Sequence, residues 1–240
     1  MRGRPQPWPD SSMAELAEIG PYFSVTAGPV GAGSGWLPVS RLYSDGPELT
    51  GLVQRLAATL GTDEERVAAS ILVQGLSARL WSLTFGSWFT QERVPDIDPD
   101  LLLWRDDRGS LTLHLTRVQG WAGADLLPRA AGLVAENHLV PLVSAVRNRW
   151  PLSPNLLWQN TVSALHGTAT VLGTVRPGSR AAAERLLEHL RTTNEVPEEA
   201  VFIGRRSTCC LFYRLPNAGL CGDCALDRVP ERGPHHPGGP

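Results

Sequence analysis

The chain has 240 residues, 42% of them hydrophobic and 19% charged, which is ordinary for a globular protein and enough for one large domain or two small ones. A formal net charge of −2 gives no field that draws it to nucleic acid or to an anionic membrane, and no apolar run approaches the roughly 18 residues that span a bilayer. All 22 basic residues are arginine; the absence of lysine excludes a Walker-type phosphate-binding lysine, Schiff-base chemistry including that of pyridoxal phosphate, and a lysine general base.

Residues 1–12, MRGRPQPWPDSS, are proline-rich and lack the apolar stretch of a signal peptide, so they read as a disordered leader. Ser12 and Glu15 have capping-box spacing, which predicts a short helix near 13–19 before Gly20-Pro21 stops it. The glycine-rich run Gly28–Gly35 lacks both the G-x-G-x-x-G spacing and a strand–helix frame, and reads as a loop rather than a phosphate cradle. Pro47 opens a helix that Gly61 ends, with Leu49, Leu52, Val53, Leu56 and Leu60 on one stripe. Thr62-Asp63-Glu64-Glu65 caps a longer one, in which Val67, Ile71, Leu72, Leu76, Leu80 and Leu83 recur toward Phe85. That apolar density predicts a helix buried on much of its circumference, with Trp81 and Trp88 in the core. The period then changes. Leu101–Trp104, a polar turn at 105–109, and Leu111, Leu113 and Leu115 alternating with Thr112, His114 and Thr116 predict a β-hairpin with His114 on its solvent face.

From Pro128 the helical pattern returns over 129–149, with Pro141 inside it, so a kink or break is expected near Val140. Ser153-Pro154-Asn155 opens a helix to about Gly173, and Pro177-Gly178-Ser179 opens a last one over Arg180–Arg191. Val201-Phe202-Ile203 reads as a short strand, and after Leu226 the composition becomes a Pro/Gly-rich tail. His138 and His166 have no partner at metal-binding spacing and read as satisfied histidines; His235-His236 in the tail mark no designed site. H-E-x-x-H and G-x-S-x-G are both absent. The expected fold is mainly α with a small β-hairpin (α+β): a leader at 1–12, a mainly helical body at 13–200, a cysteine-rich segment at 201–228 and a disordered tail at 229–240.

All four cysteines, Cys209, Cys210, Cys221 and Cys224, fall within sixteen positions. A four-thiolate set suits tetrahedral zinc or an iron–sulfur cluster. Cys221-Gly222-Asp223-Cys224 has the chelate spacing in which the backbone turns both sulfurs toward one metal atom. Cys209 and Cys210 are adjacent, and neighbouring side chains of an extended segment point to opposite faces, so one ion collects both only if the backbone bends there. A two-iron cluster relaxes that demand, and the vicinal pair favours [2Fe-2S]. Between the pairs, Leu211–Leu215 reads as a short strand and Pro216-Asn217-Ala218-Gly219 as a turn, so a hairpin is expected to return Cys224 beside the vicinal pair. Disulfides are disfavoured without a secretory signal, and a thioredoxin-type motif would open a helix after a βαβ pattern. A non-catalytic binding protein with a structural four-cysteine zinc site stays open as the alternative.

The stretch R-R-S-T-C-C-L-F-Y-R-L-P-N-A-G-L-C-G-D-C-A-L, with its CC-x10-C-x2-C spacing, resembles the FhuF-like family of siderophore-iron reductases. Further similarity lies upstream, at Glu136–Val143 and at Leu156-Leu157-Trp158-Gln159-Asn160. The resemblance implies a [2Fe-2S] cluster held by Cys209, Cys210, Cys221 and Cys224 as redox centre. It also implies a cytoplasmic, oxidoreductase role in iron homeostasis: reduction of ferric siderophores to release Fe(II). With no nicotinamide or flavin site legible in the chain, the electron is expected from an external ferredoxin, flavodoxin or flavin reductase. Arg205, Arg206 and Arg214 flank the cysteines and are the candidate contacts for an anionic ferric chelate.

Overall fold

Proline inside the first turn opens two of the main helices, where its fixed φ is pre-set and its missing N–H costs nothing. The computed structural model describes residues 3–9, 11–31, 33–44, 46–107 and 110–230. In chain order its elements are β1 (Gln6–Pro7), α1 (Ser11–Ala17), β2 (Thr26–Ala27), β3 (Leu37–Pro38), α2 (Pro47–Leu60), α3 (Glu65–Gln91), β4 (Arg93–Pro95), β5 (Leu102–Asp107), β6 (Ser110–Leu115), β7 (Gln119–Ala122), α4 (Leu126–Val134), a π-helical turn (Ala135–Leu139), α5 (Val140–Arg149), α6 (Pro154–Val175) and α7 (Ser179–Thr192). It is an α+β fold dominated by helix. No helix among the described residues is long and apolar enough to cross a membrane.

α3 is the axis of the body. Residues Leu80 to Ser87 are buried without interruption, as an apolar density spread round the helix implies. Two of the hydroxyls this brings indoors are satisfied within the helix, Ser77 donating to the Val73 carbonyl and Thr84 to the Leu80 carbonyl, both at 2.7 Å, whereas the buried Ser87 hydroxyl has no partner. Each leucine fully buried on this axis stabilises the fold by about 1.5–3 kcal/mol. α6 packs along α3 and α7 packs on α6, while α2 covers the other flank of α3. Asn160 meets Ser70, Ser163 meets Gln74 and Thr168 meets Ser82, so α3 and α6 run in the same direction. Their N-terminal ends lie side by side.

Two small sheets close the body. One has the order β1-β7-β4, all antiparallel; the other has the order β2-β6-β5-β3, with β2 parallel to β6 and the rest antiparallel. The expected β5–β6 hairpin is present, with Leu102 opposite Leu115 and Trp104 opposite Leu113, but pairing continues through Arg105–Asp107, so the turn is shorter than 105–109. A Cβ on Gly120 would lie 2.2 Å from the Val94 carbonyl oxygen and 2.5 Å from the Trp8 ring. Only glycine lets the indole lie on β7.

Trp8 corrects the leader. It is only 9% exposed and belongs to the core, and Gln6–Pro7 pairs with Gln119–Gly120, so the chain joins the fold from Gln6 rather than from residue 13. Proline content suggested disorder there, but an edge strand tolerates a missing donor. His114 is a second correction. It is 6% exposed, not on a solvent face, because the Thr26 hydroxyl, the Gly28 carbonyl (both at 2.8 Å) and the Trp36 ring cover it. The covering strands β2 and β3 are two residues each, too short to show a period. Val201–Ile203 forms no strand. His235, His236 and the tail from residue 231 lie outside the described residues.

Candidate metal centre

Cysteines separated by ten residues converge only if the chain folds back, and here turns do what a hairpin was expected to do. Leu211 adopts the left-handed conformation, φ 69°, and Phe212–Arg214 forms a 3-10 turn instead of a strand. The reversal directly after Cys210 bends the backbone where the vicinal pair requires it. No sequence signal announces it, since leucine rarely takes positive φ.

The sulfurs meet in twos. Cys210 Sγ lies 3.5 Å from Cys221 Sγ, close to the ~3.8 Å that two thiolates sharing a tetrahedral ion with bonds of about 2.3 Å would show. Cys209 and Cys224 lie near enough for the Cys224 thiol to oppose ionisation of Cys209. Among the described residues, no three His, Cys, Asp or Glu side chains close on a point that one metal ion could occupy. Main-chain N–H groups already point at sulfur: Leu211 donates to Cys209 Sγ at 3.3 Å and Leu226 to Cys224 Sγ at 3.4 Å. Cys210 and Cys224 are buried, whereas Cys209 and Cys221 are half-buried and face outward. Burial pushes the Cys209 thiol above its ordinary range. Cys221 is pushed higher still, by burial first and then by the Cys210 thiol beside it. Thiols crowded this way ionise only when a cation shares the site.

The segment is pinned to the N-terminal ends of α3 and α6 by residues that cysteine spacing alone does not reveal. The Ser70 hydroxyl donates to the Cys210 carbonyl at 2.7 Å, and Asn160 Nδ2 donates to the Ser70 hydroxyl at 2.9 Å. Gln159 Oε1 accepts the N–H groups of Ser207 (3.0 Å) and Thr208 (2.9 Å) and the Thr208 hydroxyl (2.7 Å). Gln159 and Asn160 are the last two residues of the run Leu156–Asn160 and reach the loop from the first turns of α6.

The three flanking arginines have separate fates. Arg205 is exposed, donating to the Cys224 carbonyl at 3.0 Å and to Asp227 at 2.7 Å. Arg214 is half-exposed and paired with Glu64 at 2.8 Å, which holds the Glu64 carboxyl below its usual range against the opposing pull of burial. The Arg206 side chain is sealed from solvent at 0% exposure and reaches Asn160 Oδ1 at 2.7 Å and Asp223 at 3.0 Å. Burial alone would raise the Asp223 carboxyl, but the Ser163 hydroxyl and the Arg206 guanidinium outweigh it and hold the group low.

Residues 206–226 match the family model of the FhuF 2Fe-2S C-terminal domain. The likeness is confined to this segment. Its match contains all four cysteines at the motif's positions and less than a tenth of the chain. No curated protein matches the chain significantly. The FhuF 2Fe-2S domain indicates a [2Fe-2S] cluster as cofactor. The donor set here fits one: four cysteines brought together by the turns, Cys210 and Cys221 in sulfur contact, N–H groups aimed at Cys209 and Cys224, and Cys209 and Cys221 only half-buried.

Proposed function

We propose that this protein reduces ferric siderophores, with Cys209, Cys210, Cys221 and Cys224 holding the [2Fe-2S] cluster and an external ferredoxin, flavodoxin or flavin reductase supplying each electron. When bound, the group supplies one-electron chemistry. The balance is simple: one electron leaves the donor, one ferric ion becomes ferrous, and the hard oxygen ligands that suited Fe(III) hold Fe(II) far less tightly. The observation that carries the reading is the gathering of the four cysteines, Cys210 in contact with Cys221 and Cys209 near Cys224, with Cys209 and Cys221 only half-buried. A half-exposed sulfur edge gives both a donor and a bulky chelate a short path to the metal.

The chain's own residues divide the remaining work. Cys210 and Cys224 anchor the site from inside, and Ser70, Gln159 and Asn160 fix the loop that presents it. Arg205 and Arg214 remain the candidates for meeting an anionic chelate. Their present partners, Asp227 and Glu64, are surface carboxylates, and such pairs exchange at little cost. Arg206 has no solvent face to offer.

Iron and acid-labile sulfide analysis of the anaerobically isolated protein tests the reading. We expect both, together with visible absorbance that dithionite bleaches. Cys224→Ser should lose the absorbance and the reduction of a ferric hydroxamate or catecholate chelate together. A colourless protein holding zinc without sulfide, or full reductase activity in Cys224→Ser, removes the cluster from the mechanism.

A further inference from the structure

One full charge lies beneath the cysteine loop without access to water. The Arg206 side chain is 0% exposed, and a guanidinium stays protonated wherever it is placed. Its Nη1 donates to the neutral Asn160 amide at 2.7 Å, and its Nη2 lies 3.0 and 3.1 Å from the two Asp223 oxygens. Its Nε is buried without a hydrogen-bond partner. The Arg206 main-chain N–H also donates to the Asp223 carbonyl at 3.1 Å. Asp223 sits between Cys221 and Cys224, so these contacts hold the cation directly against the C-x2-C turn.

Burying an arginine is costly unless its partners compensate it fully, and here they do not. Asn160 carries no charge, one N–H is orphaned, and Asp223 keeps part of its side chain in water. The positive field is therefore only partly cancelled and falls on the nearby thiols. Arg205 and Arg214 carry the same formal charge nearby, but solvent reaches both, and exposed charges are screened by water and salt far more than buried ones.

We propose that Arg206 is a positioning residue that sets the reduction potential at the four-cysteine site, favouring the reduced state through its buried charge, with Asp223 as the counterweight. The inference rests on the cluster of the preceding section. Reduction brings one electron from the external donor to the site and makes it one unit more negative; no bond or proton is exchanged. A fixed cation in a poorly polarisable surround lowers the free energy of that more negative state. Removing the cation makes the site harder to reduce, and removing the carboxylate makes it easier.

The test is an anaerobic redox titration of the full-length, cluster-loaded protein, following visible absorbance with dithionite and mediators. Arg206→Gln should lower the reduced-to-oxidised ratio at fixed ambient potential by about tenfold, which is about 59 mV for a one-electron couple. Arg206→Lys should stay within about threefold of the parent, and so should Arg205→Gln, which removes an exposed charge from the same loop. Asp223→Asn should shift the ratio the opposite way. Should Arg206→Gln fail to hold the cluster, Asn160→Asp leaves the arginine in place and adds a negative charge against it; it should move the potential down where Asp223→Asn moves it up. Shifts of one sign throughout, or a potential indifferent to these changes in an intact cluster, overturn the proposal and leave the reductase reading standing. A parent protein without iron and sulfide overturns both.

Discussion

At the scale of single residues, Gln159 shows how a helix can hold a loop that has little packing of its own. Its carbonyl oxygen takes two main-chain N–H groups and one hydroxyl, and its amide returns a bond to the Ser207 hydroxyl at 2.7 Å. It is 1% exposed, so water does not replace it. Gln159→Leu keeps the volume and removes the acceptor, leaving the N–H groups of Ser207 and Thr208 unsatisfied at roughly 1–3 kcal/mol each. We expect this variant to lose at least about 2 kcal/mol of stability or to shed its iron, as read from urea unfolding and iron content of the isolated protein. Unchanged stability with full iron loading would show that the loop holds itself. The cysteines themselves are plain from spacing, whereas Ser70 and Gln159 are not: Ser70 lies 140 positions from the Cys210 carbonyl it binds and Gln159 lies 48 and 49 from the Ser207 and Thr208 N–H groups it accepts, and hydrogen bonding between distant segments leaves no period to read.

Among the elements, the π-helical turn carries the clearest consequence. Pro141 has no N–H for the Asn137 carbonyl, so the α-helical ladder cannot continue past it. The helix widens over Ala135–Leu139, and the Val140 N–H reaches back to the Ala135 carbonyl. A break near Val140 is what the sequence implies; its form as a π-turn that rotates His138 into the core is not. His138 donates from Nε2 to the Ile97 carbonyl at 2.6 Å and accepts the Tyr43 hydroxyl at Nδ1. Burial lowers its pKa to about 4, while the Ile97 bond works the other way. The unfolded chain, with an ordinary value near 6.5, therefore binds more protons than the folded one between those limits. Stability is fully present above pH 6.5 and falls by about 3 kcal/mol on the way down to pH 4. Urea unfolding at several pH values should show that slope, and His138→Gln should flatten it even where its overall stability is lower. A slope unaltered in the variant would place the acid sensitivity elsewhere. Long helices were legible because α2 and α3 repeat their apolar stripes for many turns and because proline-bearing starts at Ser153-Pro154 and Pro177-Gly178-Ser179 announce α6 and α7. Strands of two to four residues repeat nothing, which is why β1, β2, β3, β4 and β7 emerge only from the structure.

For the molecule as a whole, the apolar core and the cysteine site are packed apart and meet through polar contacts. The buried apolar cluster runs from Trp8 to Phe202 and takes nothing from 206–226 except the flank of Leu211. Cys210, Leu215 and Cys224 are buried but lie outside it. What joins the two is largely polar: Ser70, Gln159, Asn160, the Arg206–Asn160 contact and the Arg214–Glu64 pair. Binding stabilises the unit that binds, and local unfolding proceeds unit by unit. Removing the metal should therefore loosen 206–226 and leave the helices in place. By far-UV circular dichroism, apo and loaded protein should agree in helix content and differ by less than about 4 °C in melting midpoint, the shift that about 1 kcal/mol produces in a chain of this size. Hydrogen exchange should report the difference instead, with amides such as Arg206, Leu211 and Leu226, all bonded within the segment, losing protection while those in the middle of α3 and α6 keep theirs. A midpoint that drops by more than about 10 °C, with helix lost alongside, would mean that the cysteine segment is a keystone of the body rather than a site mounted on it.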